Sequence, residues 1–448
     1  MSILKRILSN SGDRSLKYKR NSIFILLLQG INIISSFLLV TVVLNVLGVQ
    51  EYGVWVTITT IISWFSFIDV GLGHGLRNNY AIAKNNNNVN EINTLISTTF
   101  FALMIISLLV LVVLVPVSQY INWSLVLNAS ENLNSDIKTI MNFMIICFCF
   151  RTFLTIGLVL KAADQDPYIN NLVITSGNLL SLVYAVVIIK IEQGTLINLG
   201  VGLAICQALP YIISFILLFS TNYKNHFPKI SKFSKKHLKV IYSLGVKFFT
   251  VQILNVILLQ SNILIIAHMV GQEAVTEYNI AYKYLWPIMI LFTSLVIPLW
   301  SAATEAYEKD DFKWLKSSNQ KLKRVVGFLS LLGLIAVFLS PFVYKIWLKD
   351  KIEVNFVLMI LIYFYFISMM WFSIFRMFMN GVGKIKLQFI ITLVQSLIHI
   401  PLAILLCNYF SVYGVIICMI LWNIINGIWE PIQYKKIMNK SAAGVWNS

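Results

Sequence analysis

Two basic residues stand inside long apolar runs of this chain, Arg151 within 137–160 and Lys283 within 276–298. A cation at the centre of a bilayer costs about 2.5–3.5 kcal/mol on the most lenient scale, so such a residue either pairs with a buried partner or holds a ligand. Arg151 lies about 15 Å along a helix from Lys161, the next charged residue, and Lys283 about 9 Å from Glu277. Both are deep for a side chain that must reach water. Lys247 and Arg376 sit near the ends of their runs, where anchoring at the interface is the expected use. The acids Asp69 and Glu277 fall at run ends as well. A carrier of cations wants carboxylates near the midplane, so this pattern suits an anion held by Arg151 and Lys283. Structural pairing is the alternative for both.

Uncharged polar residues form stripes in the same runs. Gln29, Asn32 and Ser36 share one helix face, as do Gln252, Asn255 and Asn262, with Asn171, Thr175 and Asn178 forming a third. In lipid such faces turn inward, either as contacts between helices or as the lining of a hydrated cavity. Gln29, Asn32, Gln252, Asn255, Asn279 and Trp286 are the candidates for that lining. Trp55, Trp64, Tyr282, Tyr284 and Trp286 are aromatic platforms for sugar rings, or else interfacial and packing residues. His399, on one face with Gln395, and Asp69 are the candidates for proton coupling; a lone histidine serves equally as a packed, hydrogen-bonded group.

Catalysis has little support. The longest outward loop, near 118–136, carries Glu131 and Asp136 but no histidine, no Ser–His pairing and no metal cluster. Gly71-x-Gly73-x-Gly75 follows an apolar run where a dinucleotide loop needs a strand, so its glycines are expected to let the chain turn. All five cysteines lie in apolar runs without metal-ligand spacing. No catalytic residue, metal or cofactor is expected.

The elements that must position these residues follow from composition. The chain is 58% apolar and 12% charged, against roughly 45–50% and about 25% for a soluble domain. Runs of spanning length lie near 22–47, 53–70, 95–117, 137–160, 170–190, 197–220, 244–270, 276–298, 325–347, 354–377, 386–407 and 412–430. The first is too long, and lacks the small-residue cleavage site, for a cleaved signal. Gln29, Asn32, Gly48, Glu51 and Tyr52 recur in order as Gln252, Asn255, Gly271, Glu277 and Tyr278, about half the chain later. The expected fold is therefore all-α and polytopic, with twelve transmembrane helices in two parallel six-helix bundles. Residues 1–220 form the first bundle, 221–243 a cytoplasmic linker and 244–448 the second. Basic residues crowd one side, at Lys224 to Lys239 and Lys309 to Arg324 among others, while the opposite loops hold Lys138, Lys190, Lys345, Lys349 and Lys351. Both termini are accordingly expected in the cytoplasm. Topology and anionic headgroups account for the net charge of +17, leaving no call for nucleic acid.

The stretch Leu47 to Asn78, LGVQEYGVWVTITTIISWFSFIDVGLGHGLRN, resembles the first-repeat signature of the Wzx-type polysaccharide flippases. Ile297 to Trp314, and Asn380-Gly381-x-Gly383-Lys384 with Gln388, are similar to that family's second repeat. The resemblance places the chain in the multidrug/oligosaccharidyl-lipid/polysaccharide (MOP) exporter superfamily, whose MATE-like fold pairs two six-helix bundles. It implies a flippase that carries an undecaprenyl-pyrophosphate-linked oligosaccharide across the bacterial inner membrane by alternating access, for O-antigen or another surface polysaccharide. It further implies a V-shaped pair of bundles around a cationic cavity, and membrane lipids, a polysaccharide polymerase and chain-length proteins as partners. The first run lacks the arginine cluster of the related peptidoglycan-precursor flippases. A multidrug or cation antiporter on the same fold is the rival reading, and a polytopic polysaccharide-assembly enzyme the third.

Overall fold

Every regular element among the described residues of this computed structural model is a helix. Near-continuous apolar runs require it, because backbone groups in lipid must satisfy one another within a segment. The described residues are 13–65, 71–191, 194–349 and 351–447, without the side chains at 13–20, 22, 240, 242–253, 255–257, 297, 298 and 301. Among them, 10 helices are long and apolar enough to cross a membrane. The first, Ile23–Trp64, has 42 residues, about 63 Å of helix against a hydrocarbon core of about 30 Å. Gly48, at φ 72° and ψ −179°, breaks it between the first two predicted spans. The seventh predicted span falls on Lys235–Met269, whose stretch Leu258–Met269 is apolar. Among the described residues, observed helices thus account for each predicted run, 66–70 of the second lying outside them, and the chain is a multi-pass membrane protein.

Helix α1 is Asp13–Trp64, followed by α2 (Leu72–Asn85), α3 (Val89–Tyr120), α4 (Asn134–Leu154), α5 (Ile156–Ala163), α6 (Tyr168–Lys190) and α7 (Leu196–Ser220). Then come α8 (Lys235–Met269), α9 (Gln272–Glu308), α10 (Phe312–Leu348), α11 (Phe356–Val382), α12 (Lys386–Phe410) and α13 (Val412–Met438). Side-chain caps set several starts, each satisfying a backbone N–H that the first turn leaves open. Asn88 accepts from Glu91 N, Thr195 from Asn198 N, Asp311 from Trp314 N and Asn355 from Val357 N. Gly71, at φ 73°, opens α2 and bears out the turn expected there. Gly75 has another use. It lies inside α2 where a Cβ would meet the Ile241 carbonyl oxygen at 2.5 Å, so its lack of a side chain lets two backbones touch.

The chain packs as two compact units, one comprising the chain through Gly48 with Ile58–Ile253, the other Val49–Thr57 with Leu254–Ser448. In the first, Leu72, Leu76, Ile96, Ile156, Leu160 and Ile241 are wholly buried in one core. Asp164, just past α5, takes a salt bridge from Lys84 at 2.5 Å and a hydrogen bond from the Tyr223 hydroxyl at 2.8 Å. Burial and the Asp164 carboxylate together push the Tyr223 phenol well above its ordinary range. The segment after α7 is pinned to α3, since Lys229 N donates to Ser97 Oγ and Ser234 N to Thr98 Oγ1, both at 3.1 Å.

In the second unit the segment Val49–Thr57, which carries the end of the first motif copy, lies against the start of α9. Gln50 Nε2 donates to Glu273 Oε1 at 3.1 Å, Thr276 Oγ1 to the Val49 carbonyl at 2.6 Å, and Thr57 Oγ1 to Gln272 Oε1 at 3.1 Å. A Cβ at Gly53 would fall on the Gln272 carbonyl oxygen. Backbone cannot yield as a side-chain tip does, so Gly53→Val is expected to destabilise the protein by about 1–3 kcal/mol. A thermal unfolding midpoint equal to wild type in detergent would contradict that close approach.

The basic loops predict the orientation in the membrane, and reporter fusions read it. Fusions at Asn128 and Lys349 are expected to be active with a periplasmic reporter, and fusions at Lys235 and Lys436 with a cytoplasmic one. A periplasmic signal at Lys235 overturns the scheme.

Candidate functional site

Arg151 projects from the last turn of α4, and its guanidinium lies 4.5 Å from the centroid of the Tyr211 ring on α7. A cation over a ring face is stabilised without being neutralised, by about 0.5–2 kcal/mol. Among the described residues no carboxylate pairs with it. The same unit carries a polar ladder across three helices. Asn178 Nδ2 on α6 donates to Asn32 Oδ1 on α1 at 3.0 Å, and Gln207 Nε2 on α7 donates to Asn178 Oδ1 at 2.8 Å and Ser181 Oγ at 3.1 Å. Asn32 therefore joins helices with its side-chain oxygen. Gln29, one turn earlier, keeps a buried Oε1 with no donor among the described residues.

Lys283 is the second unit's deep cation. It lies on α9, and its Nζ reaches the Tyr52 hydroxyl at 3.5 Å, the outer limit of a hydrogen bond. Tyr52 itself donates to Asn279 Oδ1 at 3.1 Å, so the candidates Lys283 and Asn279 meet on one patch through it. No carboxylate pairs with Lys283 among the described residues. Beside it runs an aromatic tier in which Tyr282 stacks on Trp286 at 5.5 Å and lies 5.0 Å from Phe366 and 6.4 Å from Tyr365. Trp286 is 37% exposed. A half-open stack of ring faces can accept the face of a sugar.

His399 is wholly buried on α12. Its Nδ1 accepts from Trp422 Nε1 at 3.1 Å, which leaves Nε2 to donate to Asn262 Oδ1 at 3.0 Å. That pairing suits the neutral ring with its proton on Nε2. Asp69 lies outside the described residues, as do the side chains of Gln252 and Asn255. Arg151 and Lys283 belong to different units.

One expectation is corrected by the structure. Arg376 does not reach for the interface: its Nε and Nη2 both donate to Oε1 of Glu430, at 2.8 and 2.5 Å, and its plane lies 4.4 Å from the Phe372 ring centroid. The twelfth predicted run ends at Glu430, whereas α13 continues to Met438 and encloses that carboxylate. The signal was available in the spacing. Trp429, Gln433 and Tyr434 prolong the amphipathic pattern past the charge.

Comparison with known proteins agrees with this architecture. The pattern described as "Polysaccharide biosynthesis protein" matches residues 18–303, and the MatE pattern matches residues 248–405. A Yersinia pseudotuberculosis protein named for O-antigen export is 25% identical over 375 residues, covering 80% of this chain and 81% of its own. A Salmonella typhi protein named as an O-antigen transporter is 21% identical over 417 residues, covering 91% and 93%. Among solved structures, the inward-facing conformation of a multidrug resistance MATE family transporter of the MOP superfamily superposes with a TM-score of 0.73. It is 14% identical, with 94% of this chain and 100% of that one covered, and so shows a shared fold. With more than half of its length matched by one family pattern, the chain belongs to the polysaccharide biosynthesis protein family, on a MATE-type transporter fold.

Proposed function

We propose that this protein is a flippase that carries a lipid-linked oligosaccharide from the cytoplasmic to the periplasmic leaflet of the bacterial inner membrane by alternating access, for O-antigen or another surface polysaccharide. The observation that carries the reading is the pair of deep cations, Arg151 and Lys283, each set against aromatic or hydroxyl groups and neither matched to a carboxylate among the described residues. Such cations are costly in a membrane unless an anion visits them. A pyrophosphate does so while the prenyl tail stays in lipid. The relatives named for O-antigen export and transport support that substrate class. Transport of this kind makes and breaks no covalent bond, in keeping with loops that lack a catalytic constellation.

A deletion strain tests it. The lipid-linked repeat unit is expected to accumulate on the cytoplasmic leaflet while surface polysaccharide disappears, and the wild-type gene restores both. Drug sensitivity with intact polysaccharide is the result that the rival multidrug antiporter requires, a reading favoured by the MATE-type fold.

A further inference from the structure

We propose that Glu430 and Gln433 form a proton-binding site in the second unit, and that its occupancy unmasks the charge of Arg376. Both residues are wholly buried on one face of α13, a single turn apart. Arg376 spends both of its hydrogen bonds on the same carboxylate oxygen, Oε1, and Glu430 Oε2 has no donor among the described residues. Gln433 has the matching deficit. Its Nε2 donates to the carbonyls of Lys384 and Trp446, both at 3.2 Å, while its Oε1 is without a donor. Those two carbonyls set the orientation of the amide, since a flip would turn its oxygen against them.

Two buried acceptors, neighbours at i and i+3, thus stand where one donor would serve both. Residues so spaced are about 5–6 Å apart at Cβ, within the span of two long side chains. A proton on Glu430 Oε2 converts that oxygen from acceptor to donor and gives Gln433 Oε1 its partner. A metal ion fits less well. No group of three metal-ligating side chains occurs among the described residues, and the guanidinium alongside would repel a cation.

Charge bookkeeping gives the consequence. With the carboxylate ionised the pair is neutral; with the proton bound, Glu430 is a neutral acid and Arg376 carries an uncompensated positive charge. Arg376 lines a cavity of about 120 Å³ together with Tyr365, Gln395, His399, Trp422 and Asn426. Though largely apolar, the cavity is roomy enough for water, with Arg376, Gln395 and Asn426 as polar partners, so that a proton can reach the Arg376 side of the pair. Other titratable and charged groups on α11 and α12, which pack against α13, are Tyr363 and Tyr365 on α11 and Lys386, His399, Cys407 and Tyr409 on α12, with Lys384 between those helices, its ammonium donating to the Asn447 carbonyl. On α13 itself, Tyr434 donates to the Leu315 carbonyl and Lys436 lies over Trp446. Of the acids near α13, Glu277 on α9 acts on Tyr413 at the far end of the helix and Asp310 pairs with Lys440 past its last turn, which leaves Glu430 as the carboxylate of the cluster. That proton uptake makes the cavity wall attract an anion rests on the flippase reading; the proton site does not.

Infrared difference spectra of the purified full chain, taken between acidic and alkaline buffer, test the site. Wild type is expected to show a protonated-carboxyl stretch that is lost in Glu430→Gln, an isosteric change that keeps an oxygen for Arg376. Gln433→Met, which removes the acceptor, is expected to weaken the band at a fixed, mildly acidic pH. Carboxyl bands that coincide in wild type and Glu430→Gln overturn the proposal. Should Glu430→Gln not accumulate, Gln433→Met decides alone, an undiminished band overturning it. Polysaccharide export measured in the same strains reports separately: a wild type that moves no lipid-linked sugar removes the flippase reading and leaves the spectral result standing.

Discussion

Arg151→Gln and Lys283→Gln are each expected to abolish surface polysaccharide export while the protein stays in the membrane at wild-type abundance. Glutamine preserves much of the length and some hydrogen bonding but removes the charge. A hydrogen bond to a charged group is worth about 1.5–3 kcal/mol, so affinity for an anionic headgroup falls by roughly 10- to 150-fold. The conservative exchanges separate charge from shape. Arg151→Lys retains the cation but loses the planar group that covers Tyr211, and Lys283→Arg retains it with a wider fork, so both are expected to be partly active. Normal export by the glutamine variants eliminates the anion site. Disappearance of the protein from the membrane fraction would instead assign the two charges to folding.

The largest effect on stability is expected at the buried ion pair. Arg376→Met leaves Glu430, whose side chain is 1% exposed, without its cation, and breaking such a pair from one side costs about 3–5 kcal/mol. Replacing both partners is a different matter. Arg376→Met combined with Glu430→Met removes the uncompensated charge, and buried pairs exchanged for apolar residues of similar volume are often neutral or stabilising. Thermal unfolding in detergent reads both variants. A single variant as stable as wild type, or a double variant no better than the single, would show that Arg376 does not compensate Glu430.

The helices were legible in the chain because bilayer thickness imposes a length and hydrocarbon imposes a composition, and neither depends on how helices meet. Even the broken helix α1 was divided correctly: Gly48, where it breaks, lies between the two predicted runs. Reading individual residues went less far. The stripe holding Asn32 was recognisable as inward-facing, but periodicity carries no information about what faces it, and the ladder to Asn178 and Gln207 needs two other helices. Arg376 shows the same limit from the other side. Its position near a helix end fitted snorkelling, and only the approach of α13 shows that a carboxylate waits there.

By itself, then, the sequence determined an all-helical, multi-pass chain with a duplicated motif and isolated deep cations, since hydropathy, length and repeat are properties of the chain alone. Tertiary structure decided which polar groups are spent on one another. It set Val49–Thr57 against the start of α9, where the two segments share hydrogen bonds. It closed Arg376 onto Glu430 and left Arg151 and Lys283 without such a partner among the described residues. The physical reason is that a buried polar group owes its energy to a partner distant in sequence, and chain spacing does not encode that distance.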